Sequence, residues 1–234
     1  MRIVELTLQS KDIAAQRAFY HDLLGLPVIA DGGQQITFQA GHTQLRFEQA
    51  NSALPSVYHF AFNIPENQFM QAKDWLTART PLAVSPEDPQ KEVYDFTDWN
   101  AHAFYFLDAD GNIAEFIARR NLDNASHEPF SENSILGISE IGLATPDVIQ
   151  TVEVLQQNVG IPVWRGAGSD MFCALGDEYG LFIVVKDGRN WLSSNRPAVP
   201  LPIQVLIEGI SNLDYHVPGL PFHIRRGVRG TEPR

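Results

Sequence analysis

The sequence predicts an α+β fold of repeated strand–helix–three-strand (βαβββ) modules, two of them forming a half-open barrel and a third, degenerate one following. Three observations predict it. Short β-rich runs and one helical run follow each other in a fixed order. That order recurs at a spacing of roughly 60 residues, the mark of a repeat architecture. Gly, Pro and Asp sit at the joints between the runs.

The first module covers residues 1–50. Residues 3–9 read as a strand, and Ser10 and Asp12 offer capping oxygens to a helix over 13–24. Its apolar positions Ile13, Ala14, Phe19, Leu23 and Leu24 recur at helical spacing, and Gly25 stops it. Strands at 27–30, 35–39 and 43–48 follow, parted by Gly32-Gly33 and Gly41. The second module, 55–120, repeats the order with a strand at 57–64 and a helix opened by Pro65 and Glu66 that runs to Arg79. Strands at 82–84, 102–107 and 112–118 complete it, the last two joined by the turn Asp108-Ala109-Asp110-Gly111. The loop over 85–100 is long for a compact domain, and long loops often carry function. Residues 121–135 read as a linker.

The third module, 136–210, is weaker. A strand at 138–145 leads into a helix opened by Pro146 and Asp147 and ended by Gly160. Strands at 161–164, 171–175, 181–185 and 202–208 follow. The tail, 211–234, shows no clear periodicity and reads as loosely ordered toward its end.

Composition narrows the function classes. The chain of 234 residues is 44% hydrophobic and carries a net charge of −11. An acidic surface repels phosphate backbones, so nucleic acid is not an expected partner. No apolar run reaches the roughly 18 residues of a membrane span, and no signal peptide is read at the start. The single cysteine, Cys173, cannot form an internal disulfide. A cytoplasmic location is the resulting expectation. Cys173 reads as a small buried hydrophobe.

Two modules side by side leave a concave inner face, the natural place for a ligand. Glu5 lies mid-strand between Val4 and Leu6, and His59 lies at the matching place in the second module. Glu115 lies among apolar residues in the last strand of that module. A carboxylate buried among apolar neighbours needs compensation, either a metal ion or a partner such as Arg46. If the two modules pair, pseudo-symmetry brings Glu5 and His59 to one cavity.

Particular stretches carry a family resemblance. They are Val4-Glu5-Leu6-Thr7-Leu8, Ala18-Phe19-Tyr20-His21-Asp22-Leu23-Leu24-Gly25-Leu26, Tyr58-His59-Phe60-Ala61-Phe62, and the run from Ala103 through Asp108-Ala109-Asp110-Gly111 to Glu115. In these the chain resembles the vicinal oxygen chelate superfamily, which includes glyoxalase I, bleomycin-resistance proteins and extradiol dioxygenases. The resemblance covers residues 1–120, and 136–186 match only the outline of the module. It implies a metal held by Glu5, His59 and Glu115, with Glu5 where the family more often has His. Two carboxylates and one imidazole favour Mn²⁺, Fe²⁺, Mg²⁺ or Ni²⁺, with Zn²⁺ open. Arg46 falls where glyoxalase I has a carboxylate, and it is a candidate to clamp a substrate carboxylate or pair with Glu5. Tyr105 and His102 are the candidate catalytic groups, and Trp99 is a candidate for the mouth of the site. The third module, lacking His and Glu at the matching places, is expected to bind no metal and to pair with its own copy in a homodimer or pack on the first two.

The implied function is a divalent-metal-dependent enzyme of the glyoxalase or dioxygenase type, acting on a small substrate with vicinal oxygens. The rival is a non-catalytic small-molecule-binding protein similar to bleomycin-resistance proteins, with Glu5 and Arg46 as an ion pair.

Overall fold

The computed structural model describes residues 1–51, 53, 57–166 and 168–227. The first module comprises β1 (Ile3–Ser10), α1 (Ile13–Arg17), β2 (Val28–Asp31), β3 (Gln35–Ala40) and β4 (Thr43–Gln49). Asp12 caps α1 by accepting from the Ala15 amide at 2.9 Å. The helix expected over 13–24 changes character midway: Ala18–Leu23 form a π-helical turn. The wider turn shifts which side chains face inward. Tyr20 and Gln16 are buried, whereas Leu23 is exposed.

The second module comprises β5 (His59–Ile64), α2 (Phe69–Thr77), β6 (Leu82–Ala83), β7 (Tyr94–Phe96), β8 (Ala101–Leu107) and β9 (Ile113–Arg119). The expected long loop therefore contains β7, which pairs with β8, and a 3-10 turn over Thr97–Trp99. The third module has β10 (Gly137–Thr145), α3 (Val148–Val159), β11 (Phe172–Asp177) and β12 (Gly180–Lys186). Its expected strand at 161–164 is reduced to one bridge between Val163 and Leu175.

β13 (Ile203–Glu208) is followed by β14 (Leu213–His216) and β15 (Phe222–Gly227). The tail, which shows no clear periodicity in sequence, thus forms strands through Gly227; the expectation of loose order toward its end falls on residues 228–234, which lie outside the described residues. These short strands were hidden because four to six residues hold too little periodicity to read. With β13 parallel to β15 and β14 antiparallel to it, they form a fourth module without a helix.

The modules pair differently from their order in the chain. β1 pairs antiparallel with β13, and β5 pairs antiparallel with β10. One sheet runs β14-β15-β13-β1-β4-β3-β2 and the other β11-β12-β10-β5-β9-β8-β6. The first module therefore joins the fourth, and the second joins the third. The first two modules were expected to pair because one module leaves a sheet face that a second copy would cover. The fourth module overturns that by offering β1 a second free edge. The third module, expected either to pair with its own copy or to pack on the first two, joins the second within the chain.

One face of each sheet meets the helices in the main core. Leu6, Leu8, Phe38 and Phe47 serve the first sheet, and Phe60, Phe62, Phe104 and Phe116 the second. The first module's helix is tied to the second module's hairpin through Asp108, which is buried. Its carboxylate accepts from Gln16 Nε2 (3.1 Å), Tyr20 OH (3.0 Å), Asn112 Nδ2 (2.9 Å) and the backbone amides of Asp110 (3.0 Å) and Asn112 (2.9 Å). Burial nonetheless pushes its pKa up to about 6, against the lowering by the Asn112 and Gln16 hydrogen bonds. Replacing it leaves several buried donors without an acceptor. Asp108→Ala is therefore expected to lower stability by about 3 kcal/mol, measured by denaturant unfolding. A loss below ~1 kcal/mol, the net worth of one ordinary hydrogen bond, would contradict this role.

Candidate functional site

The site lies on the other face of the second sheet, and strand register builds it. Ala61 of β5 is opposite Glu115 of β9 on one side and Glu140 of β10 on the other. Glu115 is in turn opposite Tyr105 of β8. Side chains level across neighbouring strands share a face, so Tyr105, Glu115, Ala61 and Glu140 form one row. The small Ala61 leaves space above it for both carboxylates. His59, two residues before Ala61, shares that face.

Glu140 owes its direction to a bulge. The β5–β10 register shifts between Ile138 and Glu140, so Ser139 is an extra residue. Without it Ile138 and Glu140 would point the same way. With it Ile138 enters the core and Glu140 enters the site.

His59, Glu115 and Glu140 are all buried, and one ligand atom of each lies within 4.8 Å of the others. His59 Nδ1 lies 3.0 Å from the Ile113 carbonyl. Since a carbonyl only accepts, Nδ1 carries the hydrogen and Nε2 keeps its lone pair. Nε2 lies 3.6 Å from Glu115 Oε2. When Glu115 is ionised, two acceptors face each other with no donor between them; a proton or a cation there relieves this. Burial, with a smaller push from Arg189, lowers the His59 pKa to about 4 against the pull of the Ile113 hydrogen bond. Burial, and then the charge of Glu140, holds the Glu115 carboxyl well above the usual range, while Arg119 and a hydrogen bond from Tyr105 pull it down. Glu115 Oε1 is buried without a hydrogen-bond partner. Glu140 is raised by burial, against the Arg119 ion pair on its Oε1. An interior this acidic favours a proton or a cation at its centre.

A cavity of about 290 Å³ opens over the row, lined by His59, Tyr105, Glu115 and Glu140 and by an aromatic wall that includes Phe96, Trp99 and Trp191. The Trp191 ring lies 5.1 Å from the His59 ring. It rests on Gly142, where a Cβ would come within 2.4 Å of it.

The structure brings together four of the residues singled out in the sequence and places others elsewhere. His59 and Glu115 meet, Tyr105 stands beside Glu115, and Trp99 lines the cavity. Glu5 lies in the first sheet and pairs with Arg225 at 3.2 Å, so it does not join His59. The reason is the pairing of β1 with β13 rather than with the second module. Arg46 also lies in the first sheet, where its Nε donates to Thr37 Oγ1 at 3.2 Å, and its partner is not Glu5. His102 stands on the opposite face of β8 from Tyr105, because strand residues alternate. It packs on Phe69 and lies 3.8 Å from Asp95. The third module, expected to contribute nothing, supplies Glu140. The missed signal was Ile138-Ser139-Glu140-Ile141-Gly142-Leu143, which repeats the pattern of Ile3-Val4-Glu5-Leu6-Thr7-Leu8. Looking for His at that place concealed the matching Glu.

The first sheet holds a related row: Glu5 of β1, Leu206 of β13 and Arg225 of β15. There an arginine stands where the second sheet has Glu115. A second cluster, Asp214, His216 and His223, lies at the outer edge of that sheet, with Asp214 Oδ1 2.7 Å from His223 Nε2.

Fold and site together define a protein of paired βαβββ modules with an acidic, one-histidine cluster in its cavity. Comparison with solved structures shows that the fold is the one seen in glyoxalase-type proteins. A putative dioxygenase from Bacillus subtilis is similar over 99% of this chain and 86% of its own, at 13% identity and a TM-score of 0.66. Glyoxalase I from Zea mays is similar over 96% and 91%, at 12% identity and a TM-score of 0.55. The chain matches no protein-family model and no curated protein sequence. No helix among the described residues is long and apolar enough to cross a membrane.

His59 carries a pH signature. The unfolded chain protonates this ring near pH 6.5, and the folded chain only near 4. Between those values the unfolded state binds more protons, so this group lowers stability as pH falls through the window, by on the order of 3 kcal/mol. Nitrogen-detected NMR is expected to show His59 neutral, with the hydrogen on Nδ1, down to about pH 4. A midpoint near the ordinary value for histidine would contradict the site as drawn.

Proposed function

We propose that this chain is a divalent-metal-dependent enzyme of the glyoxalase or dioxygenase type, acting on a small substrate that offers two neighbouring oxygens. The observation that carries this reading is the pair of buried acceptors, His59 Nε2 and Glu115 Oε2, facing each other at 3.6 Å with Glu140 beside them. The donor set fits a cation: a neutral imidazole with a fixed tautomer and two carboxylates. His59, Glu115 and Glu140 would hold the ion, and such a set favours Mn²⁺, Fe²⁺, Ni²⁺ or Mg²⁺, with Zn²⁺ also compatible. This is the donor chemistry expected from the sequence, with Glu140 in place of Glu5. When bound, a divalent ion supplies Lewis-acid stabilisation of negative charge developing on substrate oxygen.

The chain's own residues do the rest. Ile183 lines the cavity and offers no ligating atom. Arg119, fully buried, fixes Glu140 through one oxygen and leaves the other. Burial, and then the charges of Glu115 and Glu140, raise the Tyr105 pKa, so its hydroxyl keeps its proton as a donor. It can serve Glu115 or a substrate oxygen. The aromatic wall makes the surroundings of the polar row largely apolar.

The Arg119–Glu140 ion pair favours a second reading, a metal-free binding protein, because it already compensates one carboxylate. Metal analysis separates the two. The purified protein is expected to take up about one divalent ion per chain on titration, and Glu115→Ala to abolish uptake while leaving the circular dichroism unchanged. Uptake below about a tenth of an equivalent, or unaffected by Glu115→Ala, would remove the enzyme reading. Ala61→Leu, which fills the space between the carboxylates, is expected to weaken uptake at least tenfold at a stability cost of about 1–3 kcal/mol. Undiminished affinity in that variant would refute the row geometry.

A further inference from the structure

The cavity lining also carries a cation that is not part of the acidic row. It is Arg189, on the loop between β12 and β13. Its side chain lies over the Phe172 ring, 5.5 Å from the centroid. Burial lowers its pKa, and of the neighbouring groups only Tyr105 offsets this. It forms none of the ion pairs found among the described residues. By contrast Arg119 has Glu140, and Arg225 has Glu5. A partly desolvated guanidinium without an anion is a costly arrangement, and it is relieved when an anion arrives. Trp191, two residues on, lines the same cavity, and its indole N–H is buried without an acceptor.

Charge points the same way. Glu115 and Glu140 are balanced by Arg119 and Arg189, and His59 and Tyr105 are neutral. A divalent ion therefore leaves the cavity with two excess positive charges. A substrate that only chelates through neutral oxygens leaves them in place. One with a carboxylate and one ionised oxygen cancels both.

We propose that Arg189, assisted by Trp191, forms a carboxylate-binding subsite, so that the substrate carries a carboxylate group apart from its two chelating oxygens. This rests on reading His59, Glu115 and Glu140 as a divalent-ion site. Arg189 provides a planar pair of donors that matches a carboxylate, and Phe172 braces the guanidinium from one side. At about 290 Å³ the cavity sits at the small end of ligand sites, so the group it recognises belongs to a small organic acid.

The test is calorimetric titration of the Mn²⁺-loaded protein with catechol and with protocatechuate. Both present the same vicinal oxygens, and only the second has a carboxylate. Protocatechuate is expected to bind about tenfold tighter or more, and Arg189→Gln to erase that advantage while leaving catechol and Mn²⁺ affinity within a few-fold. Trp191→Phe, which keeps the ring and removes the donor, is expected to reduce the advantage in part. Equal affinity for the two probes, an advantage that survives Arg189→Gln, or no binding of either probe overturns the subsite. If Mn²⁺ itself does not bind, the metal reading fails by that measurement alone. The subsite is then read with benzoate on the metal-free protein. Benzoate binding that depends on Arg189 supports it, and its absence or its indifference to Arg189 overturns it.

Discussion

The antiparallel pairing of β5 with β10 is the constraint on which the rest depends. It joins two modules that are each one half of a site. His59 and Glu115 come from one, and Glu140 from the other. The single bulged residue Ser139 decides which face Glu140 takes. A ladder of backbone hydrogen bonds cannot slip by one residue without turning every side chain over. The Phe60 and Phe62 side chains on the core face therefore hold the polar face in register.

The same architecture occurs twice in the chain, and the two versions differ in how they compensate a carboxylate. In the first sheet Glu5 takes the place of Glu140 beside an equivalent bulge, and Arg225 stands where Glu115 would be. That site carries its own cation on a side chain, and Glu5 and Arg225 keep about a third of their side-chain surface exposed. The second sheet puts two carboxylates and a neutral imidazole in a buried row with one side-chain cation, Arg119, on Glu140. Desolvation makes the same charge far more expensive there. The first sheet shows what a satisfied version of the row looks like, and the second departs from it in the direction of cation binding.

Much of the fold was legible because strand and helix periods leave direct marks on the sequence. The βαβββ order, the Asp12 cap and the Asp108 turn could be read before any coordinates. His59 and Glu115 were legible for the same reason, as polar residues interrupting apolar strands. Glu5 and Glu140 were not sorted correctly, because both stand in the pattern Ile-x-Glu-apolar-x-Leu and only strand partners distinguish them. Periodicity gives the face of a strand but not the identity of its neighbour. His102 was misplaced by proximity in sequence to Tyr105, although an odd spacing puts the two on opposite faces. Arg119 and Arg189 gave no sequence signal, since their roles depend on distances across the sheet and across a loop.

The cluster also has to persist when no ion is bound, and its composition explains how it can. Burial favours the protonated form of Glu115, and a neutral carboxyl costs far less to bury than a charged one. Glu140 has Arg119, whose guanidinium also lies 5.6 Å from the Trp99 ring and 5.8 Å from the Trp164 ring. His59 is neutral and hydrogen-bonded to the Ile113 carbonyl. No member is left as an isolated buried charge, so the fold does not need the ion to close. The proposed cation would compete with a proton for Glu115 and would be held by His59, Glu115 and Glu140. Its affinity must then fall as pH drops below the raised Glu115 value, because proton and cation compete for the same oxygen.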